Sequence, residues 1–382
     1  MRVYEVAFIG GGASALMCVG HLKNKKDALI IESNAKLGSK ILISGGGRCN
    51  FTNKNVSSSD YLGDKEFFNA IYKKYNNRWL VEYFDRKGLE YTLKNGVEYF
   101  CKNSAKDLLD ILLKEIKGVN LALNSKVLDI KKEKDIFKIA TNRGDFLAKS
   151  VVVSSGGLSF AKIGASSIGF DIAKKFKHNL KAPSPALVGF TLQKEQAFFK
   201  ELSGVSVDAI VKVEDKEFSS KILFAHKGIS GPAILNASLF WSKGKITIDF
   251  LPNFDLNSII NSKKELISTL PMPKRATKLF LENIGLKNKN CNKLSKLELE
   301  KLQILKNYSF APAGTFGYTK AEVTKGGILT SEIDSKSLMS KKVNKLFFLG
   351  EVLDITGRLG GYNFQWAFSS GAKCAKYINS WQ

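Results

Sequence analysis

The fold is decided by residues 3–32, which read VYEVAFIGGGASALMCVGHLKNKKDALIIE. Val3–Ile9 is a β-branched and aromatic run, the composition of a buried parallel strand. It stops at GGGASA, residues 10–15, which fits the pattern G-x-G-x-x-G/A. An apolar helical pattern then runs to Leu22, and a second strand is expected at Ala28–Ile31. This order of strand, glycine turn, helix and strand predicts a Rossmann-like α/β unit.

Each position of the glycine turn meets a demand of phosphate binding. Gly10 permits the tight turn, Gly12 has no Cβ to hold a pyrophosphate away, and Ala15 lets helix and strand pack closely. The free N–H groups at the helix start favour an anion. Glu32 ends the second strand about 20 residues later, where an acid accepts hydrogen bonds from ribose hydroxyls. The predicted contacts of this dinucleotide site are Gly10, Gly12, Ala13, Ser14, Ala15, Glu32 and Ser33.

Further glycine turns follow later in the chain. Val151–Val153 is a buried strand that ends in SSGG, and Leu346–Leu349 is another that ends in a glycine and an acid. GRLGGYN, residues 357–363, precedes a helix expected at 364–378. Turns that follow buried strands can touch one long ligand, since such ligands bind at the carboxyl ends of the strands. The predicted contacts in these turns are Ser155, Gly156, Gly157, Gly350, Glu351, Asp354, Gly360, Gly361, Tyr362 and Asn363.

The segment SGGGRCN, residues 44–50, has three glycines in a row and is costly to order. One interpretation is that its backbone approaches a flat or anionic ligand, with Arg48 and Asn50 as polar contacts. The other is a turn with an incidental arginine. Cys49 is interpreted as structural because no histidine lies near it in sequence. The predicted ligand contacts in and around this loop are Lys40, Ser44, Gly46, Gly47, Arg48 and Val127.

The middle of the chain changes character near residue 183. Short strands with little helix between them are followed by a Lys-rich, mostly helical stretch at 255–308, whereas an earlier stretch, 65–87, is expected to form a single helical region. We predict a discontinuous Rossmann-like nucleotide-binding domain formed by residues 1–188 and 325–382. A second domain, residues 189–324, would interrupt it and consist of a small β-unit and a helical cap.

His226 is the candidate proton donor of the predicted insert. It lies in the polar-rich loop FAHKGISGP, residues 224–232. An imidazole titrates near neutral pH and can therefore move a proton. A lone histidine can equally be structural, so both interpretations stay open. Asn50 is the second candidate catalytic residue, and no metal site is expected.

The net charge is +24, from 59 Lys and Arg against 35 Asp and Glu. Phosphate neutralisation by a nucleic-acid-binding protein requires such an excess. However, only seven of the 59 are arginine, the residue preferred for bidentate phosphate recognition, and the lysines are scattered along the chain. The charge is therefore interpreted as a solvated surface, and nucleic acid is considered an unlikely partner; a small-molecule substrate is expected.

The composition is that of a soluble globular protein, with 44% hydrophobic and 25% charged residues. No run approaches the 18 apolar residues of a membrane span, so no membrane partner is expected. The five cysteines are an odd number and form no C-x-x-C pair. This argues for reduced thiols in the cytoplasm and against a dithiol redox centre or a zinc site.

Four motifs resemble one family of flavoproteins. They are SGGGRCNFTN at 44–53, HKGISGPA at 226–233, VTKGG at 323–327 and GEVLDITGRLGGYNFQWA at 350–367. Together with the first glycine turn they resemble the BaiN/RdsA family of bacterial NAD(P)/FAD-dependent oxidoreductases, which overlaps proteins called aminoacetone-oxidase-like. The resemblance runs from residue 3 to about 378.

The resemblance implies an FAD-binding domain interrupted by an insert domain. It places Glu351 at the ribitol, where many relatives have aspartate, and Asp354 is a candidate to share that contact. Residues 44–50 and 360–363 would lie at the isoalloxazine ring. The helix after residue 363 would then point free N–H groups at the ring edge where negative charge collects on reduction, and no carboxylate occurs among residues 360–363.

The resulting function is hydride transfer through FAD between NAD(P)H or a substrate and a small organic molecule. Reduction of an activated C=C bond and oxidation of a small amine both fit. The alternatives are an RNA-associated, tRNA-modifying flavoprotein and a non-catalytic flavin redox sensor. The substrate, the choice between NADH, NADPH and oxygen, and the oligomeric state stay open.

Overall fold

The computed structural model describes residues 2–380. The chain forms two compact units: Met1–Pro185 together with Val323–Gln382, and Ala186–Glu322 between them. We refer to these as the larger and the smaller unit. No helix within residues 2–380 is both long enough and apolar enough to cross a bilayer.

Strands and helices alternate through the first part of the larger unit. Its strands are β1 (Val3–Ile9), β2 (Ala28–Ile31), β3 (Asn50–Asn53), β4 (Tyr61–Gly63), β5 (Tyr91–Lys94), β6 (Glu98–Cys101), β7 (Asn120–Ala122), β8 (Val127–Glu133), β9 (Ile136–Thr141), β10 (Gly144–Val153) and β11 (Leu180–Ala186). Its helices are α1 (Ala13–Gly20), α2 (Ser39–Ile43), α3 (Lys65–Tyr72), α4 (Asn77–Asp85), α5 (Ala105–Glu115) and α6 (Ile168–Lys175).

The smaller unit is one antiparallel sheet with short helices. Its strands are β12 (Phe190–Thr191), β13 (Ser206–Val213), β14 (Lys216–Ala225), β15 (Gly228–Ser230), β16 (Ile246–Asp249), β17 (Tyr308–Phe310) and β18 (Gly314–Thr315). Its helices are α7 (Pro232–Phe240), α8 (Leu266–Thr269), α9 (Lys274–Asn283) and α10 (Lys296–Leu302). The strand order is β17-β16-β13-β14-β15-β12-β18. Aromatic rings fill its core, among them Phe199, Phe224, Phe250 and Phe280.

The chain then returns to the larger unit. The returning elements are β19 (Val323–Ile328), β20 (Leu346–Phe348), β21 (Ile355–Gly357) and α11 (Tyr362–Ile378). The main sheet has the order β7-β2-β1-β10-β9-β8, and β20 pairs with β10. Pairing is parallel among β7, β2, β1, β10 and β20, and antiparallel among β10, β9 and β8. The carboxyl ends of β1, β2, β10 and β20 therefore point to the same edge of the sheet.

The stretch predicted as one helical region at 65–87 is two helices, α3 and α4. Asn76 interrupts it, because its extended backbone and its side chain, which accepts from the N–H of Trp79, make it an N-cap. The stretch at 255–308 likewise contains short helices and turns rather than continuous helix. Capping residues inside an apolar pattern explain both differences.

An ionic network ties the segment between α6 and β11 to the returning chain. Glu332 contacts Nδ1 of His178 at 3.0 Å, the N–H of Asn179 at 3.0 Å and Nζ of Lys342 at 2.7 Å. The hydroxyl of Ser340 lies 2.8 Å from Nε2 of His178. These distances resemble a Ser-His-Glu triad, but Ser340 is only 3% exposed and its Oγ also accepts two backbone N–H groups. We therefore interpret the network as structural.

This network should make stability fall at acidic pH. Burial opposes ionisation of Glu332, but hydrogen bonds from Lys342, Asn179 and His178 outweigh it and lower its pKa from 4.5 to about 2. Because the folded pKa lies below the unfolded one, the stabilisation is present above pH 4.5 and is lost as the pH falls toward 2. Burial also lowers the pKa of His178, so protonation of His178 destabilises the fold in the same direction.

Glu332→Gln should lower the free energy of unfolding at pH 7 and flatten its fall between pH 5 and pH 2. Urea unfolding at a series of pH values measures both effects. Glu82→Gln is the matched control, because Glu82 is exposed on α4. If the free energy of unfolding of Glu332→Gln falls between pH 5 and pH 2 as much as that of the parent, another carboxylate causes the loss of stability at acidic pH.

Candidate functional site

The ends of β1, β10 and β20 are tied to one another by backbone hydrogen bonds. The N–H of Ser154 donates to the carbonyl of Ile9 at 2.9 Å, and its hydroxyl donates to the carbonyl of Gly10 at 2.9 Å. The N–H of Leu349 donates to the carbonyl of Val153 at 2.9 Å. The glycine turns that follow these three strands therefore lie side by side at one edge of the sheet.

Two glycines of the first turn serve different purposes. Gly10 has φ of +97°, and a Cβ on it would lie 2.8 Å from the carbonyl oxygen of Ser154, so the fold itself requires glycine there. Gly12 has φ of −84°, which any residue adopts, and a Cβ on it would meet nothing within 4 Å. Gly12 is also the N-cap of α1 and supplies no side-chain cap to its N–H groups. The open space beside Gly12 is where an anionic ligand could reach the helix start.

The carboxylate of Glu32 accepts hydrogen bonds from the first glycine turn and from the residues that follow Glu32. Its Oε2 accepts the N–H of Gly11 at 2.8 Å, and its Oε1 accepts the N–H of Asn34 at 2.8 Å and the hydroxyl of Ser33 at 3.1 Å. Glu32 is 8% exposed. The carbonyl of Glu32 accepts the N–H of Ser125, two residues before Val127 at the start of β8. The predicted contacts Glu32, Ser33 and Val127 thus lie near one another and near the first turn.

Glu351 joins the glycine turn after β10, at Gly156 and Gly157, to α2. Its Oε2 pairs with Nζ of Lys40 at 2.9 Å, and its Oε1 accepts the N–H of Thr324 at 2.8 Å. A Cβ on Gly157 would lie 3.1 Å from Oε1 of Glu351, and a Cβ on Gly156 would lie 3.6 Å from Oε2. Residues that are far apart in sequence are therefore gathered around one carboxylate.

Gly350 contacts both α1 and α11. Its N–H donates to the hydroxyl of Ser370 at 3.1 Å, and its carbonyl accepts the indole N–H of Trp366 at 3.0 Å. A Cβ on Gly350 would lie 3.0 Å from Oγ of Ser14 in the first turn. Trp366 is 1% exposed, so a hydrogen bond from a buried indole holds the turn at Gly350 in place.

Within residues 2–380, two buried polar atoms beside these turns have no hydrogen-bond partner: Oδ1 of Asp354 and the hydroxyl of Ser155. Asp354 is 8% exposed, its Oδ2 lies 3.6 Å from Nζ of Lys181, and burial raises its pKa. The hydroxyl of Ser155 faces α6, where a Cβ on Gly169 would collide with it. Such unpaired buried atoms are uncommon in native proteins.

The glycine-rich loop adopts a left-handed backbone. Gly45, Gly46 and Gly47 have φ of 56°, 66° and 83°. Arg48, predicted to contact a ligand, is committed within the protein: its Nε donates to the carbonyl of Cys101 at 3.2 Å and its Nη2 to the hydroxyl of Thr92 at 2.8 Å. Arg48 thus braces the loop against β5 and β6, while Gly46 is exposed and Ser44 and Gly47 are half-buried.

The turn before α11 is held by side chains that were predicted to touch a ligand. The amide of Asn363 accepts the N–H of Gly357 and donates to its carbonyl, both at 2.9 Å. The hydroxyl of Tyr362 donates to the carbonyl of Asn55 at 3.0 Å, and Tyr362 is 2% exposed. These two side chains therefore hold the turn in place through hydrogen bonds within the protein.

The structure brings Glu98 to this turn, a carboxylate that the sequence reasoning missed. Oε1 of Glu98 would lie 3.0 Å from a Cβ on Gly360. In the orientation that satisfies its amide, Asn50 donates to the carbonyls of Tyr99 and Thr52 and accepts the N–H of Gly361 at 3.3 Å. Glu98 arrives through the pairing of β6 with β3. No local motif signals this, since only the strand register places Glu98 there.

His226 lies in the smaller unit, in the exposed turn between β14 and β15. Its catalytic role stays a prediction. Within residues 2–380 no group of three or more His, Cys, Asp or Glu side chains is placed to hold a metal ion.

Comparisons with known proteins identify relatives along the whole chain. The family model of the HI0933-like protein Rossmann domain matches residues 4–377. A ribosomal RNA dihydrouridine synthase of Haemophilus influenzae is 36% identical and is covered over 98% of both chains. A 3-dehydro-bile acid delta(4,6)-reductase of Clostridium scindens is 28% identical, over 96% of this chain and 97% of the relative.

A solved structure confirms the class of fold. The 3-ketosteroid delta1-dehydrogenase of Sterolibacterium denitrificans superposes with a TM-score of 0.53 at 12% identity and covers 100% of both chains. At that identity the likeness concerns the fold alone. Together with the family match, it confirms the Rossmann-like α/β fold predicted from residues 3–32.

Proposed function

The chain belongs to the family of the HI0933-like protein Rossmann domain, and on that premise we propose that it is an FAD-dependent reductase of C=C bonds conjugated to a carbonyl. We further propose that uridine in ribosomal RNA is its substrate. The observation that carries the cofactor assignment is the meeting of the glycine turns after β1, β10 and β20 at one edge of the sheet.

The residues at this edge fit FAD. The open space at Gly12 and the uncapped start of α1 suit the pyrophosphate. The carboxylate of Glu351 and its partner Lys40, beside Gly156 and Gly157, suit a chain of hydroxyl groups such as ribitol. A long ligand with two parts can bind both at the start of α1 and beside Glu351, whereas a mononucleotide would leave one of these two places unused.

FAD, when bound, supplies the hydride chemistry. The protein's part is to bind, orient and exclude water. Ser44–Gly47 and the turn at Gly360–Gly361 would frame the ring, and Arg48 and Asn50 hold those two segments in place. Glu98 lies beside Gly360 and places negative charge near the proposed ring site. This charge would partly cancel the positive potential at the N-terminal end of α11.

The reaction class is supported by what two relatives have in common. Formation of dihydrouridine saturates the C5=C6 bond of uracil, which is conjugated to a carbonyl. A delta(4,6)-reductase acting on a 3-dehydro bile acid likewise faces C=C bonds conjugated to a ketone. Conjugation makes the distant carbon electrophilic toward hydride. Of the two reactions that the sequence left open, reduction of an activated C=C bond is therefore the one we retain.

Ribosomal RNA is preferred as substrate for two reasons. The relative with that name is 36% identical over 98% of this chain, against 28% for the bile-acid enzyme. The net charge of +24 also suits a polyanionic substrate, although the scattered lysines had favoured a solvated surface. A small polycyclic enone is the second candidate, and the bile-acid relative supports it.

The proposal requires a flavin that a nicotinamide reduces and an enone-type acceptor reoxidises. Under anaerobic conditions, NADPH or NADH should bleach the FAD spectrum of the purified or reconstituted protein. Unmodified ribosomal RNA or a 4,6-dien-3-one steroid should then restore it, and the same acceptor with its C=C bond already saturated should not. A protein that binds no FAD would refute the proposal. So would a reduced flavin that reacts with each acceptor no faster than with the same acceptor whose C=C bond is already saturated.

A further inference from the structure

Four of the five cysteines lie in two pairs, although the sequence contains no C-x-x-C motif. Cys49 contacts Cys101, and Cys18 contacts Cys374. All five thiols are free and buried. Local spacing had argued against a dithiol centre, but Cys101 lies 52 positions after Cys49, beyond the reach of any local motif. Strand pairing brings them together instead.

The position of the first pair follows from the register of β3 and β6. Asn50, the first residue of β3, pairs with Phe100, which brings Cys49, the residue just before β3, beside Cys101 at the end of β6. The N–H of Cys101 lies 3.4 Å from the carbonyl of Cys49. Cys49 has a left-handed backbone with φ of 41°, so its thiol reaches that of Cys101 from the glycine-rich loop rather than from the strand ladder.

The surroundings of Cys101 favour a thiolate. The hydrogen bond from Cys49 is the largest cause that lowers the pKa of Cys101; burial and the charge of Asp107 oppose it, and the N–H of Leu108 near the start of α5 adds to the lowering. A thiol near a helix start is more reactive than one in an apolar core, because the thiolate is the nucleophile.

The second pair is a natural control inside the same molecule. Cys18 lies on α1 and Cys374 on α11, and all four paired cysteines are 0% exposed. Burial raises the pKa of the Cys18 thiol and that of the Cys49 thiol well above the usual range. Because the two pairs are equally buried, a difference in reactivity between them reports the neighbouring loop and helix start rather than burial or mere proximity.

We propose that Cys49 and Cys101 form a redox-active dithiol whose oxidation to a disulfide fixes the glycine-rich loop Ser44–Gly47 to β6. A peroxide is the oxidant class. The Cys101 thiolate attacks one oxygen and the O–O bond breaks, so that Cys101 becomes a sulfenic acid. The other oxygen leaves as hydroxide or alkoxide and takes up the proton that Cys101 had lost, giving water or an alcohol. The Cys49 sulfur then attacks that sulfenic sulfur, the S–S bond forms, the S–O bond breaks, and the Cys49 proton leaves with the oxygen as water. Two thiols lose two electrons, and the peroxide gains them.

The loop gives the oxidant a route to the buried pair. Gly45, Gly46 and Arg48 are exposed, and Gly45, Gly46 and Gly47 have a left-handed backbone. Local opening of this segment would uncover Cys49 and admit a peroxide to Cys101 beside it. If the loop frames the flavin, which rests on the proposed function, the disulfide would also restrict closure of the loop on the ring. Disulfide formation itself does not depend on FAD.

The test is peptide mass spectrometry of the full chain, with and without FAD, after hydrogen peroxide and alkylation. We expect a Cys49–Cys101 linked peptide, reversed by a reductant, while Cys18, Cys374 and Cys291 remain alkylated. Cys101→Ser and Cys49→Ser should each abolish the linked peptide, and Cys374→Ser should keep it. A linkage of Cys18 with Cys374 at equal rate, or only unlinked oxidised cysteines, would overturn the proposal.

A second readout separates this inference from the proposed function. In the holoprotein, the disulfide should slow anaerobic bleaching of the flavin by the effective nicotinamide at least about 5-fold, and a reductant should restore the rate. If the protein binds no FAD, the linked peptide still forms and only the proposed function fails. If FAD binds and turns over but no linked peptide forms, only the dithiol inference fails.

Discussion

Gly12→Ala should weaken FAD binding about 10- to 1000-fold, a loss of about 1.4–4 kcal/mol, while the fold stays intact. Gly12 has φ of −84°, and a methyl group there would meet no protein atom within 4 Å. The only group it can obstruct is a ligand that approaches the start of α1, where the pyrophosphate is proposed to lie. The change thus probes the ligand and leaves the protein's own packing undisturbed.

Gly10→Ala is the matched contrast. Its φ is +97° and its Cβ would lie 2.8 Å from the carbonyl oxygen of Ser154, so it should lower stability whether or not FAD is present. Flavin fluorescence titration and thermal unfolding of the cofactor-free proteins measure the two effects separately. If Gly12→Ala binds FAD as tightly as the parent, the cofactor does not approach α1 in the way proposed.

Local sequence patterns predicted the elements around the first glycine turn well. Val3–Ile9 and Ala28–Ile31 are strands β1 and β2 with the predicted bounds. These predictions succeed because hydrophobic period and glycine conformation are short-range effects. The helix before the C-terminal end begins at Tyr362, two residues earlier than expected.

What the sequence could not predict depends on contacts between distant segments. Glu98 reaches the turn at Gly360, and Cys49 meets Cys101, only because β3 pairs with β6 in one register. Arg48 was predicted to face a ligand, yet partners on β5 and β6 hold its guanidinium. In such cases the pairing of distant strands determines which residues a side chain contacts, and local composition does not predict that pairing.

The same limit applies to Gly361. The family resemblance implied a role for it as a donor at the start of α11, but its φ is +94°, and a Cβ on it would lie 2.6 Å from the carbonyl of Thr52, so packing also requires glycine there. The Asn50 amide further occupies its N–H. Substitution at Gly361 would therefore disturb the fold as well as any effect on a flavin, and Glu98 is the better position at which to test the charge around the ring.

Conversion of uridine to dihydrouridine in ribosomal RNA is the second large expected effect. The protein's excess of positive charge would hold the RNA through its phosphates, and the reduced flavin would deliver hydride to the conjugated C5=C6 bond. Binding of RNA should weaken steeply as salt rises, while the flavin spectrum stays unchanged. A transfer RNA transcript of similar base composition is the control for specificity, since the charge alone cannot distinguish the two RNAs.

The most direct test is a single anaerobic turnover of the NADPH- or NADH-reduced holoprotein with ribosomal RNA transcribed in vitro, followed by digestion to nucleosides and mass spectrometry. We expect reoxidation of the flavin to coincide with the appearance of dihydrouridine, two hydrogens heavier than uridine, in amounts that match the flavin reoxidised. Uridine left unchanged while the flavin passes its electrons to a steroid dienone would replace RNA by the second candidate substrate. Uridine and dienone both left unchanged by a fully reduced flavin would contradict the account.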